Sequence, residues 1–283
     1  MKAALRALAL LVLLGVPCAS PAEVPPSPSS AAKPITIPLH RYQGRLRTIR
    51  VTVEGRALEF LFDTGGGLTL VSPAVAERAR CAPAGRSVGY RLSGERLDTP
   101  LCTRTIPMAL GGWQTAVAGA GVLDVMKLLP AGWPPLAGVI SLHTFAGRAI
   151  TLDLAHDKLI VETPASLAAR VRGMVPLEGR LATGMDGAAV SLFVAARVDG
   201  GKLWLEFDSG NLDVVLLAPH AARLLGIGTA PSNVTLRLAA SHVIKATARR
   251  REMIYDGVLS AGAIGSDVYT MDLATGKVWA GRG

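Results

Sequence analysis

Apolar and polar residues alternate with a period of two along most of the chain, the spacing of half-buried β-strands. Residues 47–79 read RTIRVTVEGRALEFLFDTGGGLTLVSPAVAERA, and residues 190–225 read VSLFVAARVDGGKLWLEFDSGNLDVVLLAPHAARLL. Each stretch predicts a strand, a Gly-centred turn (Glu54-Gly55 or Asp199-Gly200) and a second, more apolar strand. Each second strand runs into Asp-[Thr/Ser]-Gly, then another β-prone run, a proline and a short helix. The chain therefore describes one unit twice.

The two copies also close alike, with PLAGVISLHTFAGRAITLDLAHDKLIVE in the first and SAGAIGSDVYTMDLATGKVWAG in the second. Gly138-Val139-Ile140 and Gly262-Ala263-Ile264-Gly265 are the units expected to correspond, each followed by a strand, an Asp (Asp153, Asp272), a polar turn and a last strand. Asp63 and Asp208 lie 145 residues apart (208 minus 63), so each copy is long enough to form a lobe. The expected division is a leader at 1–22, a disordered Pro/Ser linker at 23–34, an N-terminal lobe at 35–165, a crossover at 166–187 and a C-terminal lobe at 188–283.

Composition agrees with a turn-rich all-β protein: 31 Gly, 18 Pro and only 5% aromatic residues in 283. Lys2 and Arg6 ahead of the apolar run Ala7–Val16, then Cys18-Ala19-Ser20-Pro21-Ala22, read as an export signal cleaved after Ala22. That run is shorter than the roughly 20 residues a membrane-spanning helix needs. Pro17 fits a lipid-anchoring motif at Cys18 poorly. Loss of Lys2 and Arg6 takes the net charge from +9 to +7 and leaves two cysteines, Cys81 and Cys102. In an oxidising compartment such a pair forms a disulfide; two buried thiols are the alternative.

The high pI, about 9.9, raises the question of nucleic acid, but the basic residues are dispersed. The one tight run, Arg249-Arg250-Arg251, has no aromatic platform or nucleic-acid motif beside it. Anionic cell-surface polymers, or plain solubility, account for the charge of an exported protein. No Gly-x-Ser-x-Gly elbow, His-Glu-x-x-His helix or phosphate loop occurs, and the 5 histidines are scattered singly. Neither a metal nor a cofactor is expected.

A single Asp-Thr-Gly would mean little, since an Asx turn explains it. Two copies in matching frames carry more weight. Phe60-Leu61-Phe62-Asp63-Thr64-Gly65 and Leu205-Glu206-Phe207-Asp208-Ser209-Gly210 resemble the paired loops of the pepsin and retropepsin clan of aspartic proteases. The resemblance implies a bilobal acid-protease fold, with two pseudo-twofold related six-stranded β lobes and short helices. It makes Asp63 and Asp208 a catalytic dyad, locked by Thr64 and Ser209 and approached closely by Gly65 and Gly210. Such a dyad shares a proton between carboxyls about 3 Å apart and activates water against a peptide bond, with no cofactor.

Three positions depart from the clan's pattern: Gly66, Asn211 and Ser141. Gly66 offers no hydroxyl to its carboxylate, whereas the Asn211 amide has a donor, so Asp63 is expected to be the more readily protonated of the two. Arg86–Arg104, bracketed by the two cysteines, is the candidate flap, with Tyr90 in it and a Cys81–Cys102 bridge at its base. The leading expectation is an exported, monomeric aspartic endopeptidase acting on peptides or proteins. The alternative is a non-catalytic relative that binds a peptide or partner protein in the same cleft.

Overall fold

The computed structural model describes residues 33–44, 46–184, 187–211 and 214–282. The expected leader, and the linker except for Lys33 and Pro34, lie outside these. In the first half, β1 (Ile35–Tyr42), β2 (Leu46–Val53) and β3 (Arg56–Phe62) form an antiparallel meander. Its second turn is Glu54-Gly55, where both residues take positive φ, 46° and 74°. β4 (Leu70–Val71) leads into α1 (Pro73–Arg78). That helix starts where the sequence stops alternating: Ser72 accepts from the Val75 amide, and Pro73 occupies the first turn, where no backbone donor is needed.

Two hairpins follow, β5 (Pro83–Tyr90) with β6 (Arg96–Cys102) and β7 (Ile106–Leu110) with β8 (Trp113–Val117). β9 (Gly121–Val122), β10 (Gly138–Ile140), β11 (Ala149–Asp153) and β12 (Lys158–Val161) complete this half. The segment expected as a crossover holds regular structure: α2 (Pro164–Arg170), β13 (Val175–Leu177) and β14 (Gly179–Gly184). Beyond it come β15 (Ala189–Val198), β16 (Gly201–Asp208), β17 (Val215–Leu217), α3 (Pro219–Leu224), β18 (Ser232–Ala239) and β19 (His242–Arg250). The chain ends with β20 (Gly257–Ser260), α4 (Ala261–Ile264), β21 (Asp267–Asp272) and β22 (Lys277–Arg282).

All-β is therefore the fold class. The expected pair of six-stranded sheets is corrected: the described strands form one sheet of 15 and one of 7. The larger runs β13-β22-β21-β11-β12-β1-β2-β3-β10-β4-β9-β6-β5, with β7 on β2 and β8 on β7. The inequality arises because β21 pairs with β11 (Asp272 opposite Ala149), which carries the C-terminal hairpin into the first half's sheet. The smaller runs β14-β15-β16-β20-β17-β19-β18. β5 and β14, at the ends of these orders, are edge strands.

Each half sets its Asp-bearing strand parallel to a strand that begins with glycine. β3 lies beside β10, with Phe62 opposite Ile140, and β16 lies beside β20, with Asp208 opposite Ser260. The counterpart of Gly138-Val139-Ile140-Ser141 is thus Gly257-Val258-Leu259-Ser260. Gly262–Gly265, expected in that role, falls in and just after α4. Glycine at 257 is required by crowding, because a Cβ there would stand 2.6 Å from the Leu216 carbonyl oxygen. Ser141 also ceases to be an anomaly, since serine occupies this position in both halves.

Alternation along the Asp-bearing strands sorts their side chains. Phe60 and Phe62 of β3, and Leu203, Leu205 and Phe207 of β16, enter the main hydrophobic core. The opposite faces carry Leu61 and Asp63 in one half, and Glu206 and Asp208 in the other. Leu61 packs into a small separate cluster with Tyr42, Leu46 and Val139. Arg249 and Arg250 end β19 in exposed positions, with Arg250 3.5 Å from Glu252, as in a solvated hairpin end.

Candidate functional site

The loops after β3 and β16 meet, and their backbones are fastened reciprocally. The Thr64 amide donates to Ser209 Oγ (3.1 Å) and the Ser209 amide to Thr64 Oγ1 (2.9 Å). The Thr64 hydroxyl donates to the Phe207 carbonyl (2.7 Å), and that of Ser209 to the Phe62 carbonyl (3.3 Å). Thr64 and Ser209 are buried. Out of water, four such bonds fix the two loops against each other, because breaking any one strands a polar group.

This junction places Asp63 and Asp208 side by side, hydrogen-bonded through their carboxyls. The Gly65 amide donates to Asp63 Oδ1 (2.9 Å). The Gly210 and Asn211 amides donate to Asp208 Oδ1 (2.7 and 3.0 Å). Gly65 and Gly210 are glycine because each abuts the other half's aspartate. A Cβ on Gly65 would lie 2.5 Å from Asp208 Cγ, and one on Gly210 would collide with the Asp63 carboxyl.

Burial raises both aspartic acids above the usual carboxylate range. Asp208 is pushed up further, because Asp63 and Glu206 both set negative charge against it. The two carboxyls share a proton as a pair. The Asn211 side chain does not serve the carboxylate; its amide donates to the Val214 carbonyl (3.3 Å).

Glu206 is a third acid of this cluster, one that the motif reading passed over. It is 2% exposed, and burial together with Asp63 pushes its carboxyl up to about 8, against a hydrogen bond from Ser191 that lowers it. The available signal was a lone acid in an apolar strand, two residues before Asp208 and hence on the same face. Burial and mutual repulsion thus disfavour ionisation of three neighbouring acids. They offer a ligand hydrogen-bond donors and acceptors. Among the described residues no group of His, Cys, Asp and Glu side chains is arranged to hold a metal.

An open cleft of about 520 Å³ lies over these loops. Gly65–Leu68 and Glu206 line it below, Val88–Leu92 of the β5–β6 hairpin on one side, and Ala182–Gly184 of β14 and Tyr255 on the other. Tyr90 ends β5 at this rim and is 61% exposed. Cys81 and Cys102 form a disulfide, Cα–Cα 5.4 Å, across the base of the hairpin. The hairpin's turn is tied to the opposite wall, where the Ile254 amide donates to the Leu92 carbonyl (3.1 Å). A side pocket of about 340 Å³ adjoins the cleft through Ala182, Phe193 and Tyr255, with Trp204 and Arg180 in its walls.

No family model and no curated protein matches the chain. Among solved structures it is similar to basic 7S globulin from soybean (TM-score 0.54, 11% identity, covering 88% of this chain and 94% of that one). It is likewise similar to conglutin gamma, a unique basic 7S globulin from lupine seeds (TM-score 0.55, 10% identity, 89% and 95%). At such identity the likeness carries the fold alone. The expected membership of the pepsin and retropepsin clan, and with it the expected protease activity, is corrected: the solved structures this chain is similar to are basic 7S globulins.

Proposed function

We propose that the chain is an exported, non-catalytic binding protein whose cleft takes an extended segment of a peptide or partner protein. The two Asp-bearing halves act as lobes about a pseudo-twofold axis, with the Thr64–Ser209 junction as the rigid floor between them. The observation that carries this reading is that two open sheet edges border one cleft. Among the described residues β5 pairs only with β6, and β14 only with β15. Unpaired edges present backbone donors and acceptors in a row, and an extended segment satisfies them as an added strand. Val88 and Tyr90 on one edge, with Ala182 and Gly184 on the other, give that strand an apolar lining.

The disulfide is compatible with an oxidising, extracytoplasmic setting. The test is capture of random peptides at neutral pH, followed by mass analysis of what is released. Bound peptides should be recovered intact, and N-methylation of alternate backbone amides should abolish capture. Fragments that vanish with Asp63→Asn would overturn the reading, as would indifference to N-methylation.

A further inference from the structure

The floor of the cleft carries a buried acid, Glu206, that pairs with no cation among the described residues. Among the described residues, Glu206 and Arg91 are the charged side chains that line it, and Arg91 is engaged by Glu95 at 3.4 Å. Burial, Asp63 and Ser191 set the state of Glu206, with no cation among the influences on it. The register sets Glu206 beside Phe193 on β15, and Phe193 beside Arg180 on β14. Paired residues share a face, so the aromatic ring separates the carboxyl from that arginine. Phe193 and Tyr255 meet edge to face, centroids 5.0 Å apart at 81°. Burial raises the Tyr255 phenol, and the nearby Glu206 charge adds to that rise.

Carboxyl, phenol and two rings around open volume make a cation-recognition site. A carboxylate supplies charge-assisted hydrogen bonds, and aromatic faces attract a desolvated ammonium or guanidinium. We propose that the cleft selects partner segments bearing one cationic side chain, lysine or arginine, seated on Glu206 beside the rings of Phe193 and Tyr255. The selection rests on the binding reading above. On arrival the cation favours the ionised carboxylate, and the proton that burial holds on Glu206 passes to solvent. Arg91 lines the cleft and Arg180 the adjoining pocket, so residues flanking the cation should be neutral or acidic.

The experiment sequences the peptides that the chain captures from a random pool, then compares a captured peptide with its lysine→norleucine counterpart. The expected result is enrichment of Lys or Arg at one position. Norleucine should weaken binding roughly tenfold to hundredfold, the worth of a buried charge-assisted bond. Glu206→Gln should erase that difference while still binding the norleucine peptide. Glu206→Leu, which copies Leu61 of the first half, repeats the comparison with a side chain the fold already accepts. Capture without cationic enrichment, or a norleucine effect that survives both variants, overturns the inference and leaves the cleft reading standing. No capture at all sinks both.

Discussion

Glu206 occupies in the second half the place that Leu61 holds in the first, two residues before the buried aspartate and on the same strand face. The first half spends this position on apolar packing against Tyr42 and Val139. The second half buries an acid there, next to two others. Strongly perturbed acids gather at functional sites, and this one lies on the cleft side of β16.

One consequence is a stability that falls with rising pH. Glu206 moves from its ordinary 4.5 to about 8 on folding, so the folded state binds more protons across that window. Stability should be full below about pH 4.5 for this group and decline up to about pH 8, by on the order of a few kcal/mol. The raised Asp63 and Asp208 act in the same direction. Urea midpoints measured from pH 5 to pH 8.5 should decline in the wild type and decline less in Glu206→Gln. A midpoint that rises with pH would contradict this.

The Thr64–Ser209 junction should behave as one unit. Thr64→Val and Ser209→Ala each leave buried backbone groups unpaired, so each should cost about 1–3 kcal/mol. Because they share bonds, the double variant should cost less than the sum, with a coupling of at least about 0.5 kcal/mol in denaturant titrations. Strict additivity would mean that the loops are not mutually fastened.

Close approach at the two glycines should be equally measurable. Gly65→Ala or Gly210→Ala forces a methyl into the opposite aspartate and should cost about 1–3 kcal/mol as overpacking. Gly201→Ala, whose Cβ meets nothing within 4 Å, should stay within about 0.5 kcal/mol of wild type. Thermal melts of the three variants side by side separate the cases.

The disulfide closes 21 residues of sequence separation, and its loss should lower stability by about 3 kcal/mol on the chain-entropy account. In Cys81→Ala/Cys102→Ala the β5–β6 amides should also lose hydrogen-exchange protection before those of β15 and β16. An unchanged order of exchange would place the bridge's effect elsewhere.

Much of this was legible in the residues. Period-two alternation gave the strands, the Asp-[Thr/Ser]-Gly repeat brought Asp63 and Asp208 together, and Pro73 and Pro219 announced α1 and α3. The late repeat was misframed because α4 contains its own glycine. Gly262 resembles Gly138 locally, but the strand that pairs with β16 begins at Gly257. With that frame the copies match in length, since Gly138 to Asp153 and Gly257 to Asp272 both span 15 residues (153 minus 138, 272 minus 257). The pairing of β21 with β11 left no trace, because contacts between strands far apart in sequence impose no periodicity. Glu206 was visible as a residue, but only the buried neighbours around it show what its charge costs.

Hydrogen exchange on the chain with and without a captured peptide tests the binding account most directly. With peptide bound, the amides of β5 and β14 should slow, β7 and β8 should exchange as before, and the peptide should elute at its original mass. Slowing that spares both edges, or a peptide recovered as fragments, would contradict the account.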